Sequence, residues 1–225
     1  SNLGGWTFEN IENNFDTHVR KSVPGYDLSH EIICLLSDPF LRNSSSVLDI
    51  GCSTGTLLKS IYERHSSREL HLIGIDMQES MIKFAQTSSH DLPIEFHVSN
   101  IESDSLGANH DVIISTYTLQ FIPPSVRQNI VNKIYTSLNW GGGFFLFEKV
   151  RAPDARFQDY INHAFVNYKL KHFDPEEVVG KANSLVGVME PFSSQGNIDM
   201  LSRAGFNDIC TVSKLLCFEG FLAIK

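Results

Sequence analysis

The 225-residue chain is 42% hydrophobic and 11% aromatic, with 18 basic against 26 acidic side chains and a formal charge of −8. That composition suits one domain with a sizeable core and room for an inserted subdomain. The negative balance and the absence of any Lys/Arg run argue against strong binding to a polyanion such as nucleic acid. Cys34, Cys52, Cys210 and Cys217 form no CxxC pair. No apolar span reaches the length of a membrane helix and no signal peptide is visible, so a reduced, cytoplasmic setting without membrane association is expected. Ser1-Asn2 reads as the remnant of a cleaved tag.

The chain opens with Trp6-Thr7-Phe8, and Ile11, Phe15 and Val19 then recur at i, i+4 and i+8, an apolar face of a first helix. Pro24-Gly25 breaks it, and a second helix runs over 28–36. Val47, Leu48 and Ile50 form a short apolar run suited to a buried parallel strand, Gly51 and Gly55 bracket a turn, and 54–64 reads as a helix. In this strand–turn–helix the glycines would admit a ligand to the backbone, and N–H groups at the helix start would bind its polar end. A dinucleotide fingerprint runs G-x-G-x-x-G. This loop reads Gly51-Cys52-Ser53-Thr54-Gly55 and follows an acid, Asp49. A carboxylate there repels a pyrophosphate and suits a ligand ammonium, so S-adenosylmethionine fits better than a nicotinamide dinucleotide.

Further along, 70–75 is a second strand ending at Asp76, placed to accept both ribose hydroxyls of such a ligand or to cap the helix 80–85. Met77 would lie along the adenosine. A third strand, 94–98, leads to Ser99-Asn100-Ile101, where the Asn100 amide oxygen can accept from a base. The fourth strand, 111–115, is followed by Thr116 to Phe121 at the crevice beyond the strand ends, where the transferred group should lie. A helix over 125–138 is expected to stop at Asn139 and Gly141 to Gly143, and 144–150 forms a fifth strand ending in Glu148-Lys149. Residues 152–204 read as helices. Phe157, Tyr160, Ile161, Ala164, Phe165 and Tyr168 make a wide apolar face that reads as core, as a lid over the site or as a homodimer contact. His163 and His172 nearby are candidates for a general base. A helix over 198–204 and strands over 208–214 and 218–224 close the chain.

The run Val47-Leu48-Asp49-Ile50-Gly51-Cys52-Ser53-Thr54-Gly55 resembles the first motif of the class I S-adenosylmethionine-dependent methyltransferases. That resemblance implies an α/β Rossmann-like fold, a seven-stranded mostly parallel sheet with a helical insert after the fifth strand and an antiparallel last strand. The whole of 1–225 would be one cofactor-binding domain, with N-terminal helices over 1–44, a core over 45–150, an insert or cap over 151–204 and a hairpin over 205–225. No metal is implied. Trp6-Thr7-Phe8, Ser22-Val23-Pro24-Gly25-Tyr26, Gly51-Cys52-Ser53 and Thr118-Leu119-Gln120-Phe121 resemble a narrower family, the carboxy-S-adenosylmethionine synthases that serve modification of the tRNA wobble uridine.

The two resemblances together imply a cofactor set of Tyr26, Asp49, Gly51, Cys52, Ser53, Gly55, Asp76, Met77, Asn100, Ile101 and Thr116. The chain departs from the narrower pattern at two places. Thr116 stands where the family carries an Asn on the cofactor, and Ala182 where an Arg pairs with the added carboxylate. Three readings follow. The first is a methyltransferase acting on a small or carrier-bound substrate. The second is a carboxy-S-adenosylmethionine synthase using prephenate, with Lys181 or Arg203 in place of the missing Arg. The third is a protein that binds the cofactor without chemistry.

Overall fold

The computed structural model describes residues 15–225. Ile11 of the expected stripe, the Trp6-Thr7-Phe8 motif and the reading of Ser1-Asn2 lie outside the described residues. Seven strands form one sheet: β1 Ser46–Ile50, β2 His71–Asp76, β3 Ile94–Val98, β4 His110–Thr116, β5 Leu138–Lys149, β6 Asp208–Leu215 and β7 Phe218–Ile224. Their order is β3-β2-β1-β4-β5-β7-β6. The first five are parallel, whereas β7 lies antiparallel between β5 and β6. The alternation of strands with helices explains the parallel half: α3, α4 and α5 lie in the β1–β2, β2–β3 and β4–β5 crossovers, while β3 returns to β4 through residues 99–109 without a helix.

Helices α1 Phe15–Ser22, α2 Tyr26–Ser37, α3 Thr56–Arg64, α4 Glu79–Ser88, α5 Pro124–Ser137, α6 Ala155–Lys169, α7 Pro175–Ser184 and α8 Ser194–Ala204 complete the chain. One side of the sheet packs on α5 and α8 through Ile130, Ile134, Met200, Leu201 and Phe206. The other packs on α2, α3 and α4 through Ile33, Leu58, Ile61, Ile82 and Ala85. Phe144, Phe145, Phe147 and Phe221 are fully buried between these layers, each stabilising by about 1.5–3 kcal/mol over exposure. Among the described residues, no helix is long and apolar enough to cross a membrane, and none of the four cysteines is bridged.

Two expectations change. The glycine run does not end α5 in a loop: β5 begins at Leu138 and takes in Asn139 to Gly143, because Gly141 N–H donates to the Lys225 carbonyl and the Gly142 carbonyl accepts from Lys225 N–H. The chain's last residue therefore extends the ladder that the sequence alone would end. The aromatic stripe of α6 also divides. Phe165 is buried and Ile161 and Tyr168 join it on Val23, Tyr26 and Phe218, whereas Phe157 and Tyr160 remain 53% and 60% exposed.

Candidate functional site

A cavity of about 780 Å³ opens at the carboxyl ends of the parallel strands, walled by the tips of β1, β2, β4 and β5 and covered by α1, α6 and α7. It lies at the position where open α/β sheets bind ligands. Of the residues expected to hold a cofactor, Tyr26, Asp49, Gly51, Cys52, Ser53, Asp76, Met77, Asn100, Ile101 and Thr116 all line it; Gly55 does not.

The glycine loop is built for tight internal packing. Gly51 and Gly55 both have positive φ, +72° and +76°, and a Cβ at Gly51 would meet Thr118 Oγ1 at 2.2 Å while one at Gly55 would meet the Phe96 ring at 2.6 Å. Their need is thus set by the protein's own side chains as well as by a left-handed backbone. Four of the loop's N–H groups are engaged within the protein. Those of Gly51 and Cys52 donate to the Ile75 carbonyl, that of Gly55 to the Cys52 carbonyl, and that of Ser53 to Asp76 Oδ2 at 3.0 Å. The strand ends beside the loop offer a ligand two carboxylates.

Asp49 supplies the plainest of these. It is 2% exposed, and its Oδ1 has no hydrogen-bond partner among the described residues. Burial, and then the charge of Asp76, push its carboxyl up to about 7. A buried orphaned acceptor is unfavourable by itself, and a ligand ammonium would satisfy it. The donor set fits S-adenosylmethionine at this end. Asp76 Oδ1 accepts from Gln78 N–H at 2.9 Å just before α4, and the carboxylate, raised by burial, borders the cavity. The Asn100 amide oxygen accepts from Glu102 N–H at 3.0 Å, leaving its NH2 and a second lone pair. Lys133 from α5 fixes that segment by donating to the carbonyls of Ile101 and Asp104.

The tip of β4 is strained. Tyr117, a bulky residue, has φ +54°, a conformation that costs on the order of 1–3 kcal/mol and clusters at functional sites. It is held by its N–H donating to the Phe147 carbonyl and by the following turn. There Leu119 N–H donates to the buried Glu148, and Lys149 N–H donates to Gln120 Oε1 at 2.7 Å. Burial lifts the Glu148 carboxyl to about 8 despite Arg127 nearby. Arg127 itself is buried and donates to the carbonyls of Ile122, Glu190 and Gln120, joining the β4 turn to the chain returning from the insert.

The expected general bases are not brought to the site. His163 pairs with Asn167 on the outer face of α6, and His172 rests against Tyr168; both are exposed and neither lines the cavity. Arg203 is bound to Gln128 far from it, whereas Lys181 and Ala182 line it. The histidines that do line it are His18 and His30. His30 is held down to about 4 by burial, and His18 is lowered by burial and then by Lys181. Both come from the N-terminal helices, whose apolar face read only as packing. Asp16 of α1 accepts from the hydroxyls of Thr54 and Thr56 at the start of α3, a long-range contact that lays α1 along the glycine loop. Lys149 and Lys169 complete the far wall.

Comparison with known proteins agrees with this architecture. Residues 47–142 match the family model described as a methyltransferase domain. The chain is 36% identical to a carboxy-S-adenosyl-L-methionine synthase of Staphylococcus epidermidis, covering 98% of this chain and 97% of that protein. It is 34% identical to one of Campylobacter lari over 96% of this chain and 92% of that protein. Among solved structures, the CurJ carbon methyltransferase superposes with a TM-score of 0.69 at 15% identity, over 95% of this chain and 58% of that one, a likeness of fold.

Proposed function

The chain belongs to the carboxy-S-adenosyl-L-methionine synthase family, enzymes of the methyltransferase fold that use S-adenosylmethionine, and from that membership we propose that it transfers the cofactor's methyl group to a small acceptor. The carrying observation is the pair Thr116 and Ala182, two uncharged residues on the cavity wall at the positions where the family resemblance implies Asn and Arg. Each charge-assisted hydrogen bond missing to a cofactor carboxylate weakens its hold by roughly 1.5–3 kcal/mol, while nothing at the Asp49 end is altered.

When bound, the cofactor supplies a methyl group already activated by its sulfonium, so the protein's part is binding and alignment. Asp49 meets the ammonium and Asp76 the ribose hydroxyls, Met77, Asn100 and Ile101 border the adenine, and Tyr26 and Thr116 flank the reacting end. Helices α6 and α7 act as the cap that excludes water and admits the acceptor.

A second reading, synthesis of carboxy-S-adenosylmethionine from prephenate, is favoured by one observation: Lys181, beside Ala182, lines the cavity and supplies a cation. Native mass spectrometry of the purified protein and a competition titration separate the two. Plain S-adenosylmethionine, or its demethylated product, is the expected bound mass. Installing Asn at 116 with Arg at 182 should turn the preference towards the carboxylated cofactor. A wild-type protein that copurifies with carboxy-S-adenosylmethionine, or prefers it tenfold, overturns the proposal in favour of the synthase.

A further inference from the structure

Asp49 answers the ammonium of the cofactor's amino-acid end and leaves the α-carboxylate to be met. Both groups stand on one carbon, so the carboxylate comes to lie close to Asp49, where a buried anion is unfavourable unless a donor reaches it. The glycine loop spends the N–H groups of Gly51, Cys52, Ser53 and Gly55 inside the protein, and the Thr54 hydroxyl donates to Asp16 at 2.9 Å. Arg20 is tied to Asp27 at 2.7 Å and does not line the cavity.

Helix α2 carries an unused donor. His30, one turn beyond Tyr26, is 7% exposed and lines the cavity, yet neither of its ring nitrogens has a hydrogen-bond partner among the described residues. A histidine buried only for packing would have its nitrogens bonded to the protein. Its neighbour is the Tyr26 ring, 4.5 Å away between centroids and tilted by 50°. Tyr26 links it to the acid end, since burial and then the charges of Asp16 and Asp49 push the Tyr26 phenol up. The carboxylates facing His30 are already engaged, Asp16 by the hydroxyls of Thr54 and Thr56 and Asp27 by Arg20. Burial outweighs their charge and holds the imidazole down to about 4. It is therefore neutral at pH 7, with one N–H and one lone pair. Such a ring can donate to a carboxylate without leaving a buried cation when the site is empty.

We propose that His30 is a cofactor-binding residue, donating its ring N–H to the α-carboxylate beside the ammonium on Asp49. The inference rests on the Asp49 assignment. It applies equally to S-adenosylmethionine and to its carboxylated form, which share that end, so it can fail independently of the transferase reading. Calorimetry of the full chain compares S-adenosylmethionine with decarboxylated S-adenosylmethionine, which keeps the sulfonium and the ammonium and lacks only this carboxylate. Wild type should prefer the intact cofactor by about tenfold or more. His30→Leu should lose most of that preference by weakening the intact cofactor alone, with the decarboxylated one bound as in wild type, which also shows that the variant is folded. His30→Gln, which keeps an N–H donor, should retain more of the preference than His30→Leu. A wild type without preference, a preference that persists in His30→Leu, or a variant order reversed between Gln and Leu overturns the assignment. So does an equal loss for both ligands in His30→Leu, because the ring would then serve packing on Tyr26. The expected pattern in a protein that copurifies with carboxy-S-adenosylmethionine would support His30 and sink the transferase reading alone.

Discussion

The two ends of the cavity are built by different means. At the acid end, Asp49 and Asp76 sit on the tips of adjacent strands, 27 positions apart by number and in the registered pair β1–β2, so a short stretch of chain and one ladder place them. At the basic end, Lys149, Lys169 and Lys181 come from a strand and two helices that meet only because α6 and α7 fold back over the sheet. The acid end is rigid, its loop N–H groups internally bonded and its glycines backed by Thr118 and Phe96. The basic end stands on a thinner support: its insert shows only Phe165 and Val178 buried on α6 and α7. A cofactor that recurs across a family calls for the first kind of site, and an acceptor that varies calls for the second.

Arg127 joins the two ends, and its removal should have the largest effect. Arg127→Ala takes away three hydrogen bonds to the carbonyls of Gln120, Ile122 and Glu190 and leaves those groups short of donors near the buried Glu148. A loss of about 3 kcal/mol is expected, read as a lower midpoint in urea, together with faster proteolysis across the insert. A loss under about 1 kcal/mol would show that the ends are joined by other means.

The acid end should respond to pH through Asp49. The folded pKa of Asp49, about 7, lies above the ordinary value of 3.8, so the stability held by its protonated form is full below about pH 4 and is lost as pH rises through about 7. A cofactor ammonium favours the ionised form and works against that loss. Affinity for S-adenosylmethionine should therefore climb several-fold, at most about tenfold, between pH 6 and pH 7.5. In Asp49→Asn it should be weaker and flat. Calorimetry that found the same pH dependence in the variant would remove Asp49 from the ammonium site.

The smallest effect is predicted in the cap. Gly180 lies inside α7 and a Cβ there meets nothing within 4 Å, so Gly180→Ala should stabilise by about 0.5–1 kcal/mol through helix propensity. A thermal midpoint that falls instead would mean that α7 needs freedom at that residue.

Much of the fold was legible because it rests on local periodicity. Val47 to Ile50, Leu72 to Ile75 and Val112 to Ile114 are apolar runs bounded by turn residues, and such runs have few alternatives to a buried parallel strand. The placing of Asp49, Gly51 and Asp76 on one cavity wall was legible for the same reason, since they are tied to strand ends that the chain itself announces. Gly55 was the exception: its positive φ and its contact with Phe96 serve the packing of α3, and a turn glycine looks the same in sequence whether a ligand or a side chain lies against it.

Only the tertiary structure decided the rest, because it depends on pairs far apart in the chain. Lys225 turns the glycine run 141–143 into strand, Asp16 finds Thr54 and Thr56, and the aromatic stripe of α6 is half core and half surface according to what stands opposite each ring. His163 and His172 have the right chemistry for a base but point away, whereas His18 and His30 reach the cavity from a face whose apolar pattern hid them. Lysines 149, 169 and 181 carry no mutual spacing that a pattern could detect. Their proximity is a product of β5, α6 and α7 packing round Phe165, and a charge cluster formed across three elements has no signature in any one of them.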